Sequence, residues 1–251
     1  MARLILTVIR RIYTSWCFLW FFLIFLLLWP FFWLFLQRKE WHWLANWCNR
    51  IWAVVVYTIS LLPLRMVYKF KPQKGQVYVF CANHSSYIDI PVMLWGVKQN
   101  FCFMGKSSLA KVPLIGYMYK KLNILVDRKN PRSRVEAYEQ AGREVEKGNS
   151  LVMFPEGTIA PSAPFMGEYK EGAFKIAIAK QIPIVPVTIP YNWLILPDDG
   201  KWLGRPHVAM AVFHEPIETK GMTLDDLPYL KEKTREVIEK ELIKRNPSIF
   251  N

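Results

Sequence analysis

Twenty-six consecutive residues without a charge, Ile12 to Gln37, limit the choice of fold more than any other feature of this chain. Phe, Leu and Trp dominate the run, and as a helix it would extend about 39 Å, beyond a hydrocarbon core of about 30 Å. Pro30 lies inside it and predicts a kink. A cleaved signal peptide is not expected, because the run exceeds the usual apolar region and no small-residue cleavage site follows. The segment therefore predicts a retained membrane anchor. A second apolar stretch, Ile51 to Leu64, is bounded by Arg50 and Arg65. At 14 residues it is short for a span and suits an interfacial or re-entrant helix. The tryptophans between the two, Trp41, Trp43 and Trp47, suit the headgroup zone. Residues 1–65 are thus expected to form a membrane module of two helical segments, either spanning or held in one leaflet.

The formal net charge of +13 is concentrated beside this module. Residues 1–75 hold ten Lys and Arg against Glu40 alone, whereas residues 76–251 hold 23 basic and 19 acidic side chains. Basic residues bordering an apolar segment meet anionic headgroups. Nucleic-acid binding needs a basic face or motif on the folded domain, and none is present in the sequence. Membrane lipid is the expected partner. The four cysteines, Cys17, Cys48, Cys81 and Cys102, have neither metal-site nor disulfide-framework spacing and read as small buried hydrophobes in a reducing compartment.

Residues 66–251 have the texture of an α/β domain. Expected strands are Val77–Ala82, Phe101–Met104, Ile124–Val126, Leu151–Phe154, Ile184–Ile189 and Val208–Phe213. Helical patterns fall at Ile88–Trp95, Arg132–Lys147, Gly172–Lys180 and Leu224–Arg245, the last charge-laced and read as a solvated surface helix. Alternation of the two predicts a mixed, mostly parallel sheet flanked by helices.

Two strand exits carry the chemistry. Asn83-His84-Ser85-Ser86-Tyr87-Ile88-Asp89 follows the first strand of this domain. Five helical steps would set His84 and Asp89 roughly 140° apart on one helix. They meet if His84 sits in the turn and Asp89 lies one turn into a helix capped by Ser85 or Ser86. Such a pair is a base with its orienting carboxylate; the plain alternative is a helix cap with an incidental histidine. Phe154-Pro155-Glu156-Gly157-Thr158 leaves another strand through a Pro and Gly turn, where Glu156 can bond a substrate hydroxyl or support the loop. Lys106, Arg128 and Lys170 follow or precede other elements, and three cations beside a base suit a phosphorylated substrate.

In this order, His84-x4-Asp89, Val126-Asp127-Arg128, Phe154-Pro155-Glu156-Gly157-Thr158 and Val185-Pro186-Val187 resemble the four blocks of the glycerolipid acyltransferases, above all the bacterial 1-acylglycerol-3-phosphate acyltransferases. The resemblance covers roughly residues 65–215. It implies His84 as general base on the free hydroxyl of a lysophospholipid, Asp89 as its orienting partner, and direct attack on the thioester of acyl-CoA or acyl-carrier protein. Lys106 and Arg128 would hold the acceptor phosphate, helped by Lys170. Glu156, Gly157 and Thr158 would shape the acceptor site. No cofactor or metal is implied. The donor's location implies the cytoplasmic face of a bacterial inner membrane.

Two departures from that pattern bear on the acceptor. Leu122 stands where the second block usually has glycine, and Ile159 where the third usually has arginine. A lyso-aminolipid acceptor fits Ile159, whereas the retained Arg128 and its basic neighbourhood favour a phosphate. A non-catalytic membrane-binding protein is opposed by the intact blocks. A serine or cysteine hydrolase is opposed by the lack of a G-x-S-x-G elbow.

Overall fold

The computed structural model describes residues 1–250. The chain opens with helix α1 (Ala2–Phe35), which runs on through Pro30, and returns along α2 (His42–Ile59). The strands are β1 (Leu64–Tyr68), β2 (Val79–Ala82), β3 (Phe101–Lys106), β4 (Ile124–Val126), β5 (Ser150–Met153), β6 (Ile184–Thr188) and β7 (Ala209–Phe213). The remaining helices are α3 (Asp89–Gly96), α4 (Ile115–Leu122), α5 (Pro131–Glu146), α6 (Gly172–Lys180), α7 (Asn192–Ile195), α8 (Leu227–Arg245) and α9 (Pro247–Phe250). One seven-stranded sheet has the order β1-β7-β6-β2-β5-β3-β4, parallel throughout except for the antiparallel pair β6 and β7. The mixed, mostly parallel α/β sheet follows from the strand–helix alternation.

Period-two burial divides the core into two layers. Phe80 and Ala82 of β2, with Phe101, Phe103 and Phe213, face α1, α2 and α3. Val79 and Cys81, with Cys102, Leu151 and Met153, face α5, α6 and α8. Because the side-chain repeat is two, one strand can serve both layers, and every residue of β2 is buried.

Six elements differ from expectation, among them the short helices α7 and α9, which had no predicted counterpart. β1 had no counterpart in the reading, and the boundary expected after residue 65 falls inside it. Helix α2 begins at His42 rather than Ile51, and Leu64 already belongs to the strand. The polar residues Asn49 and Arg50 hid the helix's inward face, for both are buried, and the Arg50 guanidinium donates to the carbonyls of Val97, Lys98 and Gln99. α4 was also unforeseen. α8 is not a purely solvated helix: Leu227, Leu230, Thr234, Ile238 and Leu242 form a buried stripe at helical spacing.

Candidate active site

The C-terminal ends of β2, β3, β4 and β5 point the same way, so the loops that follow them gather at one edge. His84 follows β2. Its Nδ1 lies 2.9 Å from Asp89 Oδ2, and the Asp89 side chain is 0% exposed against 13% for His84. Asp89 is the first residue of α3, not one turn in, and the expected serine cap does not form: Ile88 is the N-cap and no side chain caps the helix. The backbone N–H groups of Ser85 and Ser86 donate to Oδ2 at 2.6 and 2.8 Å, and Asn192 Nδ2 donates to Oδ1 at 2.8 Å. A short tether through the turn lets Asp89 reach back where a helix five residues long could not.

This geometry fixes a tautomer. A carboxylate only accepts hydrogen bonds, so the ring nitrogen facing Asp89 carries the proton. Nε2 is left with its lone pair at the partly exposed edge, as a general base requires. The ring stacks on Phe154 with centroids 4.1 Å apart and an interplanar angle of 19°, which holds it from the other side.

Of the two roles open to Glu156, the structure shows loop support. The His84 N–H donates to its Oε1 at 2.8 Å and the Gly167 N–H to its Oε2 at 2.7 Å, so both oxygens are spent on backbone. Burial pushes its pKa up, and those two hydrogen bonds and the nearby imidazole act against the shift. Gly157 adopts φ +79°, and the Arg128 guanidinium lies over it: a Cβ built there would stand 3.6 Å from Arg128 Nη1. Lys106 pairs in register with Val126, two residues before Arg128, which brings these two cations to the same edge. Thr158 is exposed on the turn. Lys170 stands apart: its side chain is 65% exposed and its ammonium is paired with Glu168 at 3.0 Å, while its backbone N–H donates to the Pro155 carbonyl.

Two supports have no local signature in the sequence. Asn83 exchanges two amide hydrogen bonds with the backbone of Ile189, at 3.0 and 2.7 Å, tying the His84 loop to the end of β6. Ser86 Oγ donates to the Leu196 carbonyl at 2.7 Å. Only the chance that asparagine closes buried turns, a weak signal, pointed to Asn83 or Asn192. Cys81 is fully buried and burial pushes its thiol up, which removes it as a nucleophile.

In sequence and in fold the chain is similar to known proteins. A family model described as Acyltransferase matches residues 65–190. The chloroplastic 1-acyl-sn-glycerol-3-phosphate acyltransferase BAT2 of Brassica napus is 29% identical over 183 residues, 72% of this chain and 51% of that protein. The putative 1-acyl-sn-glycerol-3-phosphate acyltransferase acl-2 of Caenorhabditis elegans is 31% identical over 199 residues, 78% of this chain and 67% of that protein. The chain spans about half the length of the first plant relatives it matches. The crystal structure of the 1-acyl-sn-glycerophosphate acyltransferase PlsC from Thermotoga maritima has the same fold, with a TM-score of 0.77 at 22% identity over 94% of this chain and 98% of that one. With the family model covering half its length and the His84–Asp89 pair formed within the match, the chain belongs to the acyltransferase family.

Proposed function

We propose that this chain transfers a fatty acyl group from acyl-CoA or acyl-carrier protein to the sn-2 hydroxyl of 1-acylglycerol 3-phosphate, giving phosphatidic acid for phospholipid synthesis. The observation that carries the reading is the His84 ring, held between a buried, four-bonded Asp89 and Phe154 with Nε2 unengaged. Nε2 takes the proton of the acceptor hydroxyl as its oxygen attacks the thioester carbonyl. The C–O bond forms, the C–S bond breaks, and the thiolate leaves and is reprotonated. Asp89 stabilises the imidazolium that forms and does not itself take the proton. Lys106 and Arg128, at the adjacent strand ends, hold the acceptor phosphate as charge-assisted hydrogen-bond donors. Lys170, Gly157 and Thr158 border the same loops, and Gly157 meets the positive φ of the turn beneath Arg128 without strain.

The place of action in this reading is the cytoplasmic face of a bacterial inner membrane. It is supported by α1, which is long and apolar enough to cross a membrane. Named relatives also include a chloroplastic and a nematode protein, so the relatives do not point to one compartment. A lyso-aminolipid acceptor is the second reading, favoured by Ile159, which offers no charge to a phosphate.

The test is acyl transfer from labelled donor, with lysophosphatidic acid and a lyso-aminolipid offered together in lipid nanodiscs. We expect phosphatidic acid from the wild type and a loss of about 10²–10⁴-fold in His84→Ala. Asp89→Asn should cost at least hundredfold, since an amide facing Nδ1 favours the tautomer with Nε2 protonated. Acylation of the aminolipid alone would assign the second reading; equal rates in His84→Ala and wild type would sink both.

A further inference from the structure

Between the α1–α2 hairpin and the layer of α3, β3 and α4 lies a cavity of about 530 Å³. Its wall is aromatic and aliphatic along most of its length and carries no charged side chain. One end abuts the His84 loop at Tyr87 and Ile88. The other reaches Phe101, at the start of β3, and Asn123, just before β4, which is the opposite end of the parallel strands. Asn46 and Asn49 of α2 line it too. Asn46 and Asn123 also share the wall of a neighbouring polar hollow, and Asn49 sits one turn from Asn46 on the same face of α2.

Asn49 is the informative residue. It is 4% exposed, it faces the cavity, and its amide makes no hydrogen bond among the described residues. Asn123 uses its Oδ1 to accept from the Phe103 N–H at 2.9 Å and leaves its amino group unspent. Buried amides need partners. A plain alkyl chain reaching this end displaces solvent from them and returns nothing, whereas an oxygen on the chain restores a bond. With no charge in the wall, a carboxylate or ammonium would be stranded there, so the oxygen is neutral.

We propose that Asn49, with Asn46 and Asn123 beside it, forms a hydrogen-bonding subsite for a neutral oxygen substituent, a hydroxyl or keto group, in the distal part of the transferred acyl chain. The inference rests on the proposed acyl transfer, with the acyl chain entering this cavity from the end beside the His84 loop. It makes Asn49 a specificity-determining residue, selecting oxygenated over plain chains.

The test uses the full chain in nanodiscs and two readouts. In the first, stearic acid and a hydroxystearic acid with its hydroxyl in the distal half displace the fluorescent fatty acid cis-parinaric acid. In the second, the corresponding acyl-CoAs compete as donors. The measured quantity is the preference for the hydroxylated chain over the plain one, compared between wild type and Asn49→Leu, so that differences in lipid partitioning cancel. We expect that preference to fall about three- to tenfold in the variant, the worth of one or two neutral hydrogen bonds. Asn49→Ala is the second variant if leucine prevents folding. An unchanged preference, with both chains weakened alike, overturns the subsite. Loss of preference in binding without any acyl transfer by the wild type would retain the subsite and reject the proposed reaction.

Discussion

Asp89 accepts four hydrogen bonds, and the one from Asn192 comes from 103 residues away. Replacing Asn192 by alanine strands Oδ1 of a fully buried carboxylate. A hydrogen bond to a charged group contributes about 1.5–3 kcal/mol. Asn192→Ala should therefore lose stability of that order and melt earlier in a detergent thermal scan, and an unchanged melting curve would show that Oδ1 has other partners. The contrast with Ser85 and Ser86 explains what the sequence disclosed at this scale. His84, Asp89 and their turn lie within six residues, so a meeting through the turn was one of the two readings that the spacing left open. Asn192 belongs to a helix of four residues on another strand's exit, and only the crossing of β6 beside β2 brings it near. Glu156 was legible as a turn residue able to support its loop, but its partner was not, because Gly167 lies across a loop without periodic pattern.

Among the elements, the strand missed in the sequence, β1, is also the one whose neighbourhood titrates. Lys69, just beyond it, places Nζ 3.3 Å from His214 Nδ1 and 2.8 Å from Glu241 Oε2 on α8. His214 Nε2 meets Thr188 Oγ1 of β6 at 2.8 Å, and Arg245 Nε donates to Glu241 Oε1 at 2.8 Å. Burial, reinforced by Lys69, lowers His214 from 6.5 to about 4. Burial pushes Glu241 up, but the hydrogen bonds and charges of Lys69 and Arg245 outweigh it and bring the group down from 4.5 to about 2. Both folded values lie below the unfolded ones, so the unfolded chain binds more protons in each window and stability rises with pH there. Acidification should cost stability through His214 between pH 6.5 and about 4, then through Glu241 from 4.5 towards 2. His214→Gln should remove the upper part of that pH dependence and leave the lower, in denaturation curves taken from pH 7 to about 2. A wild-type curve flat down to pH 4.5 would contradict the assignment. β1 itself was illegible because its five residues, Leu64–Tyr68, have no clean alternation: none is buried and its only strand neighbour is β7.

At the level of the molecule, the hairpin and the sheet share one core. Phe25 and Phe32 of α1 and Trp52 and Val56 of α2 are buried in the same cluster as Phe80, Phe103 and Phe213 of the sheet. On its other side α1 presents Leu4, Ile9, Leu19, Leu27 and Trp33 outward, an apolar face of the kind lipid covers. α1 is also tied to the long loop before β7: Thr14 Oγ1 accepts from the Gly204 N–H at 2.7 Å, and Arg10 donates to the Leu203 and Gly204 carbonyls. Composition made the hairpin legible as apolar, but not that its inner face is half of the domain's interior. Deleting residues 1–60 should therefore not release a soluble domain. We expect the truncated chain to sediment as aggregate after expression, and a monodisperse, folded product in size-exclusion chromatography would refute the shared core.

The sheet order adds a matter of timing. β1 pairs only with β7, about 145 residues later, so the edge of the sheet stands open while the ribosome makes everything between. At about 5–20 residues per second that interval lasts roughly 7–30 s. The first helices meet the bilayer well before the strand that will close beside them exists, and lipid is the cover available to their inner faces in the meantime.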